Sequence, residues 1–350
     1  MNWPPLASPA KNPVSEAAHS PLSISVVIPS AGAPSVFDEC LCALIRGDRQ
    51  PDEIILVDDA MDTSAYAIAE KWGIRVVDNR GQGVSAARNA GARAASGDII
   101  LFTDTDVVFP PSALSRVTTF FMAHPKVAGC VGIQSAGLRF TNFASRYKNH
   151  WMRFTYHRLR NPVNLFYTSC AAIRREVFLR TPGFDEQYRL PSIEDTAFGD
   201  ELAKQCADIF VIPDLEVEHA KSYTGWKVLI TDFARSSALM RYVLRKSRDR
   251  RSGCIRSTSV PKRFMVACML MGLSWLGLGA ALLIPFPALG FSGFCLLGLL
   301  LLNATWLEYL NREESALFAL QATAFLPIDL TVVIAGMVAG VTGYLFGRRY

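Results

Sequence analysis

Two acidic residues stand where a metal-dependent reaction could use them. Asp104 and Asp106 flank one threonine directly after the apolar run Ile99–Phe102. Two carboxylates this close at the end of a strand can share a divalent cation, and their hard oxygens suit Mg²⁺ or Mn²⁺. Such an ion bridges the phosphates of a nucleotide diphosphate and neutralises the charge that grows as it leaves. The D-x-D pattern is short, and a solvated acidic turn is the alternative interpretation.

The elements that would position these carboxylates alternate along the chain. Apolar, β-branched runs predict strands, and amphipathic stretches between them predict helices. This alternation predicts an α/β fold with a mostly parallel sheet, which binds its ligand at the carboxyl ends of the strands. Asp58 and Asp59 follow the second strand, so four carboxylates are expected along one edge. The predicted strands are 23–29, 53–57, 98–102, 127–134 and 168–174, and the predicted helices are 36–46, 63–72, 84–95, 111–123, 195–205 and 224–246.

The C-terminal quarter has the composition of a membrane segment. Between Phe264 and Phe346 only five residues are charged. Membrane spans are predicted at 264–284, 286–307 and 328–346, the last preceded by a partly buried or interfacial helix. Helix 224–246 has an apolar stripe beside basic residues, so it is expected to lie along the membrane surface.

The segments that flank the predicted domains also have distinctive compositions. Residues 247–263 form a basic juxtamembrane linker: from Arg241 to Arg263 nine basic residues accompany the single acidic residue Asp249. This excess fits the positive-inside rule and attraction to anionic lipid, with a solvated linker as the alternative. No aromatic and basic module accompanies it, so nucleic acid is not an expected partner. Residues 1–22 are rich in Pro, Ser and Ala and predict a disordered leader rather than a signal peptide.

Four segments between Ser23 and Lys246 resemble the family-2 glycosyltransferases. They are SVVIPS (25–30), EIILVDDAMD (53–62), GVSAARNAGARAASGDIILFTDTD (83–106) and TPGFDEQYRLPSIEDTAFGDEL (181–202). The resemblance implies a catalytic domain with the Rossmann-like GT-A fold over 23–246. By composition, an all-α transmembrane region at 264–346 follows it. The chain lacks the Gln-x-x-Arg-Trp signature of the processive synthases, so transfer of a single sugar is expected.

The resemblance also implies which residues contact the donor. It assigns Pro29, Asp58 or Asp59, Arg88 and Asp104 to the nucleotide sugar. A carboxylate can accept hydrogen bonds from a base or a ribose, and a guanidinium can pair with a base or a phosphate. The alternatives are that Asp59 caps the following helix and that Arg88 is a surface helix charge. After the first strand the family often has Thr-Tyr-Asn where this chain has Ser-Ala-Gly at 30–32, so the sequence offers no aromatic platform for the base.

On the acceptor side, the family pattern assigns the catalytic pair to Glu194 and Asp195. It makes Asp195 the general base, which removes the proton from the acceptor hydroxyl as that hydroxyl attacks. The alternative is that both acids begin a helix, where negative charge is favourable. His219 stands where related enzymes often carry a histidine near the diphosphate or metal, and a structural histidine is the alternative.

The expected function is therefore inverting, metal-dependent transfer of one sugar from a nucleotide-diphosphate sugar to a lipid or lipid-linked acceptor. The protein is expected in a bacterial-type inner membrane, with its catalytic domain in the cytoplasm. A chain that ends near Lys246 is expected to be soluble or peripheral, and a homo-oligomer is possible. A nucleotidyltransferase would carry a basic, glycine-rich loop after the first strand, and SAGAPS (30–35) has no Arg or Lys. A non-catalytic scaffold would lose its acidic motifs, whereas Asp104, Asp106 and Asp195 are present.

Overall fold

The computed structural model describes residues 22–32, 34–59, 63–246 and 260–347. The expected leader up to residue 21 and the linker residues 247–259 lie outside this part of the chain. The strands are β1 (Ile24–Ser30), β2 (Glu53–Asp58), β3 (Arg75–Asp78), β4 (Ile99–Phe102), β5 (Val107–Val108), β6 (Gly129–Gln134), β7 (Ala171–Arg174) and β8 (Ile209–His219). The helices are α1 (Phe37–Ile45), α2 (Thr63–Trp72), α3 (Val84–Ala94), α4 (Ala113–Ala123), α5 (Phe143–Tyr156), α6 (Arg175–Leu179), α7 (Glu194–Lys204), α8 (Gly225–Lys246), α9 (Lys262–Ala280), α10 (Pro285–Glu313) and α11 (Ala316–Leu345).

The strands form one sheet in the order β3-β2-β1-β4-β7-β6-β8-β5. Strands β3, β2, β1 and β4 are parallel neighbours. Strand β7 is antiparallel to both β4 and β6, and β5 is antiparallel to β8. The prediction of an α/β domain with a mostly parallel sheet is confirmed, with β7 and β5 as the reversed strands.

Helices cover both faces of the sheet, because neighbouring residues of each strand point to opposite sides. In β1, Val26 belongs to the apolar core under α1 and α4, whereas Val27 belongs to the core under α3 and α7. Helix α3 lies very close to the sheet at Gly91, where an added Cβ atom would stand 2.8 Å from the Cγ2 atom of Val57. This close approach fixes the height of α3 above the strand ends, where its first turns carry Arg88.

Three apolar helices follow the sheet domain. By length and composition, α9, α10 and α11 can each cross a membrane. The predicted hairpin is formed by α9 and α10, and the hydroxyls of Ser274 and Ser292 hydrogen-bond across it at 2.7 Å. The expectation of a separate helix before residue 328 is wrong, because α11 continues through Pro327 as one helix of 30 residues. The Thr331 hydroxyl donates a hydrogen bond to the carbonyl of Pro327 at 2.7 Å in the turn after the proline.

Two helices of the sheet domain pack against this C-terminal region. Helix α5, which the sequence did not predict, places Tyr147 in one buried cluster with Trp306 of α10 and Phe318 of α11. Helix α8 runs along α11, with Ser236 and Ser237 buried at the contact. The sheet domain and the apolar helices therefore share a packed core.

Candidate active site

A cavity of about 290 Å³ opens at the carboxyl ends of the central strands. Its volume lies near the lower end of the range for small-molecule sites, roughly 300–1,000 Å³. Eight of the residues predicted from the sequence line it: Pro29, Asp59, Arg88, Asp104, Asp106, Glu194, Asp195 and His219. Asp58, the remaining predicted residue, ends β2 and is fully buried.

The candidate metal ligands are brought together by strand pairing. Val107 of β5 lies opposite His219 of β8, so the chain segment just after β4 runs beside the end of β8. As a result, ligand atoms of Asp104, Asp106 and His219 lie within 4.8 Å of one another. Two carboxylate oxygens and one imidazole nitrogen make a donor set that fits a divalent cation such as Mn²⁺.

Contacts at both ring nitrogens fix the orientation of the His219 side chain. Its Nε2 atom lies 3.1 Å from the Oδ1 atom of Asp106, and its Nδ1 atom lies 3.1 Å from the hydroxyl of Tyr167. That hydroxyl also accepts a hydrogen bond from the Gln134 amide at 2.8 Å. Contacts of this kind fix the ring orientation of a metal-ligating histidine.

Asp104 is kept ionised by its neighbours. Burial raises the pKa of its carboxyl group, but the charges of Arg88 and His219 and a hydrogen bond from Ser169 outweigh this and leave the pKa below its usual value. The Ser169 hydroxyl donates to Oδ2 of Asp104 at 2.7 Å, and a guanidinium nitrogen of Arg88 lies 3.2 Å from Oδ1. A deprotonated carboxylate is the form that binds a cation.

Arg88 connects the two acidic motifs. It is only 3% exposed, and its second guanidinium nitrogen lies 2.9 Å from Oε1 of Glu194. The other carboxylate oxygen of Glu194 accepts a hydrogen bond from the backbone of Ser192 at 2.7 Å. Arg88 is thus a buried ion-pair residue that also lines the cavity, rather than a surface helix charge.

Asp195 lines the same cavity from the first turn of α7. Its Oδ1 atom accepts a hydrogen bond from the Thr196 backbone at 2.7 Å. Burial and the nearby Glu194 carboxylate raise the pKa of Asp195 to about 6, against the lowering influence of Arg235. A carboxylate with a pKa close to the working pH has the property that general-base catalysis requires.

The two aspartates that follow β2 have different surroundings. Oδ1 of Asp59 accepts hydrogen bonds from the Gly83 backbone at 2.9 Å and from the Asn79 amide at 2.6 Å. It therefore supports the turn that leads into α3 while it lines the cavity. Asp58 contacts the Tyr66 hydroxyl behind the strand end. Of the pair, Asp59 is the residue in reach of a ligand.

Sequence reasoning missed several residues of the cavity. Tyr167 and Ser169 lie in the segment before β7, where no motif marked them. Lys148 lines the cavity from the unpredicted helix α5. Arg235 was visible as a basic residue of helix 224–246 but was assigned to the membrane surface, whereas it lines the cavity near Asp195.

Comparisons with known proteins agree with this geometry. The model of the glycosyl transferase family 2 matches residues 25–180. This match covers somewhat less than half of the chain, so the similarity to family 2 is established for this stretch of the sheet domain. Among solved structures, a mannosyltransferase from Pyrobaculum calidifontis, in complex with GDP-Man and Mn²⁺, aligns with a TM-score of 0.59 at 18% identity over 92% of this chain and 88% of its own. That likeness confirms the predicted fold of both the sheet domain and the helices that follow it.

Curated relatives match this chain over shorter stretches. One is an uncharacterized glycosyltransferase, EpsJ, of Bacillus subtilis, 33% identical over 100 residues, which are 27% of this chain and 29% of the relative. Another is the undecaprenyl-phosphate 4-deoxy-4-formamido-L-arabinose transferase of Pectobacterium atrosepticum, 32% identical over 142 residues, 37% of this chain and 43% of the relative. The chain thus spans less than half the length of these relatives.

Proposed function

We propose that this protein transfers one sugar, with inversion, from a nucleotide-diphosphate sugar to an acceptor held at the membrane. The observation that carries the proposal is the convergence of Asp104, Asp106 and His219 in a cavity that Asp195 also lines. This arrangement provides a cation site for a diphosphate and a base for an acceptor hydroxyl. The proposed mechanism uses one carboxylate, that of Asp195, as the base and uses no covalent nucleophile, which is what a single displacement requires.

The donor is assigned to the side of the cavity formed by β1, β2 and β4. A divalent ion bound by Asp104, Asp106 and His219 would neutralise charge on the departing diphosphate. Asp59 would accept hydrogen bonds from the base or ribose, beside the backbone of Pro29 at the end of β1. Arg88 lies beneath Asp104 and would keep that carboxylate ionised and in place.

The membrane assignment rests on the composition of α9, α10 and α11 and on the basic residues that precede α9. We place the sheet domain on the cytoplasmic side of a bacterial-type inner membrane, because the basic linker then follows the positive-inside rule. The name of the Pectobacterium relative includes undecaprenyl phosphate, a membrane lipid, which supports an acceptor of lipid character.

The test uses the full-length protein in lipid nanodiscs with a panel of nucleotide sugars and either Mn²⁺ or Mg²⁺. Release of nucleoside diphosphate is the expected product signal, whereas a nucleotidyltransferase would need a nucleoside triphosphate and a sugar phosphate and would release inorganic pyrophosphate from the triphosphate. EDTA and the substitution Asp106→Ala are each expected to reduce release by at least about 10²-fold, because the leaving group loses its cation. Asp48→Ala removes an exposed carboxylate outside the cavity and is the matched control. Full turnover in metal-free buffer would refute the metal-dependent mechanism.

A further inference from the structure

A second cavity extends from Asp195 towards the apolar helices. Asp195 and Arg235 line both this cavity and the first one, so the two are adjacent at the candidate base. Its other end is lined by apolar side chains of α9 and α11: Phe264, Leu326, Val333 and Met337. The second cavity therefore connects the candidate base with the surface of helices that can lie in a membrane.

The second cavity is also lined by charged side chains. Asp329 projects into it from α11 and is 9% exposed. Its Oδ2 atom lies 3.4 Å from the Tyr147 hydroxyl, whereas its Oδ1 atom has no hydrogen-bond partner among the described residues. Asp232 of α8 lies beside Asp329 and accepts a hydrogen bond from the Lys148 ammonium. An acid inside an apolar helix is costly, and such residues mark functional sites.

The unpartnered Oδ1 atom of Asp329 indicates which chemical groups a ligand should offer. A buried carboxylate oxygen without a donor costs about 1–3 kcal/mol or more, so a ligand that supplies an O–H or N–H group would be bound favourably. Carboxylates accept hydrogen bonds and cannot donate them when ionised. A sugar offers several hydroxyls that can donate to Asp329 and to its neighbour Asp232.

The charges of the cavity argue against a simple phosphate. Its described lining residues include three carboxylates, of Asp195, Asp232 and Asp329, and two cations, Lys148 and Arg235. Lys148 is already paired with Asp232. A phosphomonoester would bring up to two further negative charges to a site with no cationic surplus, and like charges in a partly desolvated site repel strongly.

We propose that the second cavity binds the saccharide head group of a lipid-linked acceptor, with Asp329 and Asp232 accepting hydrogen bonds from its hydroxyls. The lipid chain then leaves between α9 and α11, past Phe264 and Met337. This inference rests on the proposed function and names its acceptor class: a glycolipid whose sugar presents a hydroxyl, rather than a bare polyprenyl phosphate.

The position of Asp195 between the two cavities gives the transfer step. The acceptor hydroxyl oxygen bonds to the anomeric carbon of the donor sugar, and Asp195 takes the proton. The bond from that carbon to the diphosphate oxygen breaks, and the nucleoside diphosphate leaves with the electron pair. No oxidant, reductant or further reactant is required.

The experiment compares two acceptor probes with the full-length protein in nanodiscs. One probe is undecaprenyl phosphate, and the other is a monoglucosyl diacylglycerol, which presents free sugar hydroxyls. We expect transfer to the glycolipid to exceed transfer to the phosphate by at least about tenfold. Asp329→Asn is expected to raise the KM for the glycolipid by about 10- to 100-fold, because the amide has a single acceptor oxygen for both the Tyr147 hydroxyl and the ligand, while slow hydrolysis of the donor continues at the parent rate.

Matched variants separate this role from a general loss of structure. Thr331→Val changes a polar residue of the same helix outside the second cavity and is expected to keep the parent KM. If Asp329→Asn loses donor hydrolysis, Met337→Trp narrows the apolar end without removing a polar group and is expected to raise the glycolipid KM. Preferred transfer to undecaprenyl phosphate, or a glycolipid KM unchanged by both variants, would overturn the inference. Absence of nucleoside diphosphate release with every donor would instead refute the proposed function.

Discussion

Arg88 shows how single residues organise this site. Its guanidinium group contacts both Asp104, which follows β4, and Glu194, at the start of α7, although these acids are far apart in the sequence. Removing one partner of a buried ion pair of this kind typically costs about 3–5 kcal/mol, because an uncompensated charge remains. The geometry of the catalytic groups and the stability of the domain therefore depend on the same contacts.

Asp195→Asn is the prediction that tests the mechanism at this scale. Transfer to a hydroxyl acceptor is expected to fall by about 10²–10⁴-fold, the effect of losing a general base. Binding of donor and metal should persist, because Asp104, Asp106 and His219 are unchanged. Asp214→Asn removes an exposed carboxylate from β8 and is the matched control. Transfer by Asp195→Asn at the parent rate would show that the acid only begins α7.

The raised pKa of Asp195 fixes the sign of the pH dependence. The base acts only when deprotonated, so kcat/KM of the parent should rise with pH through about 6 and then level off. In Asp195→Asn that rise should be absent.

The same raised pKa predicts an effect of pH on stability. The folded state favours the protonated carboxyl group of Asp195, so the contribution of this residue to stability declines as pH rises from about 4 through 6. At neutral pH the Tm of Asp195→Asn should therefore be no lower than the Tm of the parent.

The sequence predicted these residues unevenly, for a physical reason. Asp104, Asp106 and Asp195 belong to compact motifs next to strand or helix ends, so the local sequence alone marks them. Tyr167 and Arg235 reach the cavity only because distant segments fold back onto it. Their roles depend on tertiary packing, which leaves no local pattern to detect.

At the scale of elements, the contact between α8 and α11 differs most from the sequence-based expectation. The apolar stripe of α8 predicted a helix on the membrane surface, and Trp226 and Ile230 do remain exposed. Another face of α8 packs directly on α11, where Gly336 and Gly340 admit the backbone of the neighbouring helix. Small residues at four-residue spacing allow such close helix contacts in membranes. Periodicity showed that α8 has an apolar face but could not identify its partner.

Gly340→Leu tests whether this contact positions Arg235. A Cβ atom at residue 340 would stand 2.5 Å from the Ser237 carbonyl oxygen and 2.8 Å from the Cβ atom of Met240, so α8 must shift. Overpacking of this kind costs about 1–3 kcal/mol. We expect a lower Tm in detergent and slower sugar transfer, with donor hydrolysis less affected.

Gly290→Leu is the matched control for that variant, because a Cβ atom there meets nothing within 4 Å. It adds the same side chain to α10 without an obstructing neighbour, so both Tm and transfer should stay at parent values. Equal behaviour of the two variants would mean that the α8–α11 contact does not set the geometry of the site.

At the scale of the whole molecule, the boundary drawn at Lys246 from composition does not coincide with a boundary in packing. Hydropathy separates polar from apolar segments along the chain, and it indicated three long apolar helices, although the third begins at Ala316 rather than near residue 328. It could not detect α5, whose aromatic residues are interleaved with basic and polar ones in FASRYKNHWMRFTY (143–156). In the fold those aromatic residues pack against the apolar helices. The ring centroid of Tyr147 lies 5.0 Å from that of Phe325, and the ring centroid of Trp151 lies 5.3 Å from that of Trp306.

A polar cluster strengthens the same junction. Glu314, in the connection between α10 and α11, pairs with Arg146 and hydrogen-bonds to His150 of α5. Burial lowers the pKa of His150 more than the nearby glutamate raises it, so the imidazole is neutral at pH 7. The sheet domain and the apolar helices are therefore joined by both apolar and polar contacts, and each part covers a surface of the other.

This junction leads to a prediction for a chain that ends at Lys246. Composition alone suggested that such a chain would be soluble or peripheral, but truncation uncovers Phe143, Tyr147, Trp151 and Phe154 on one helix. Burial of each aromatic side chain contributes about 1.5–3 kcal/mol, so exposing these side chains should drive aggregation or retention on membranes.

We expect residues 1–246 to sediment with membranes or aggregates in detergent-free lysate. The same chain with Phe143, Trp151 and Phe154 replaced by glutamine should shift towards the supernatant. Recovery of the unmodified 1–246 chain as a detergent-free monomer on size exclusion would show that the sheet domain is independent of the helices and that the boundary drawn from composition is the correct one.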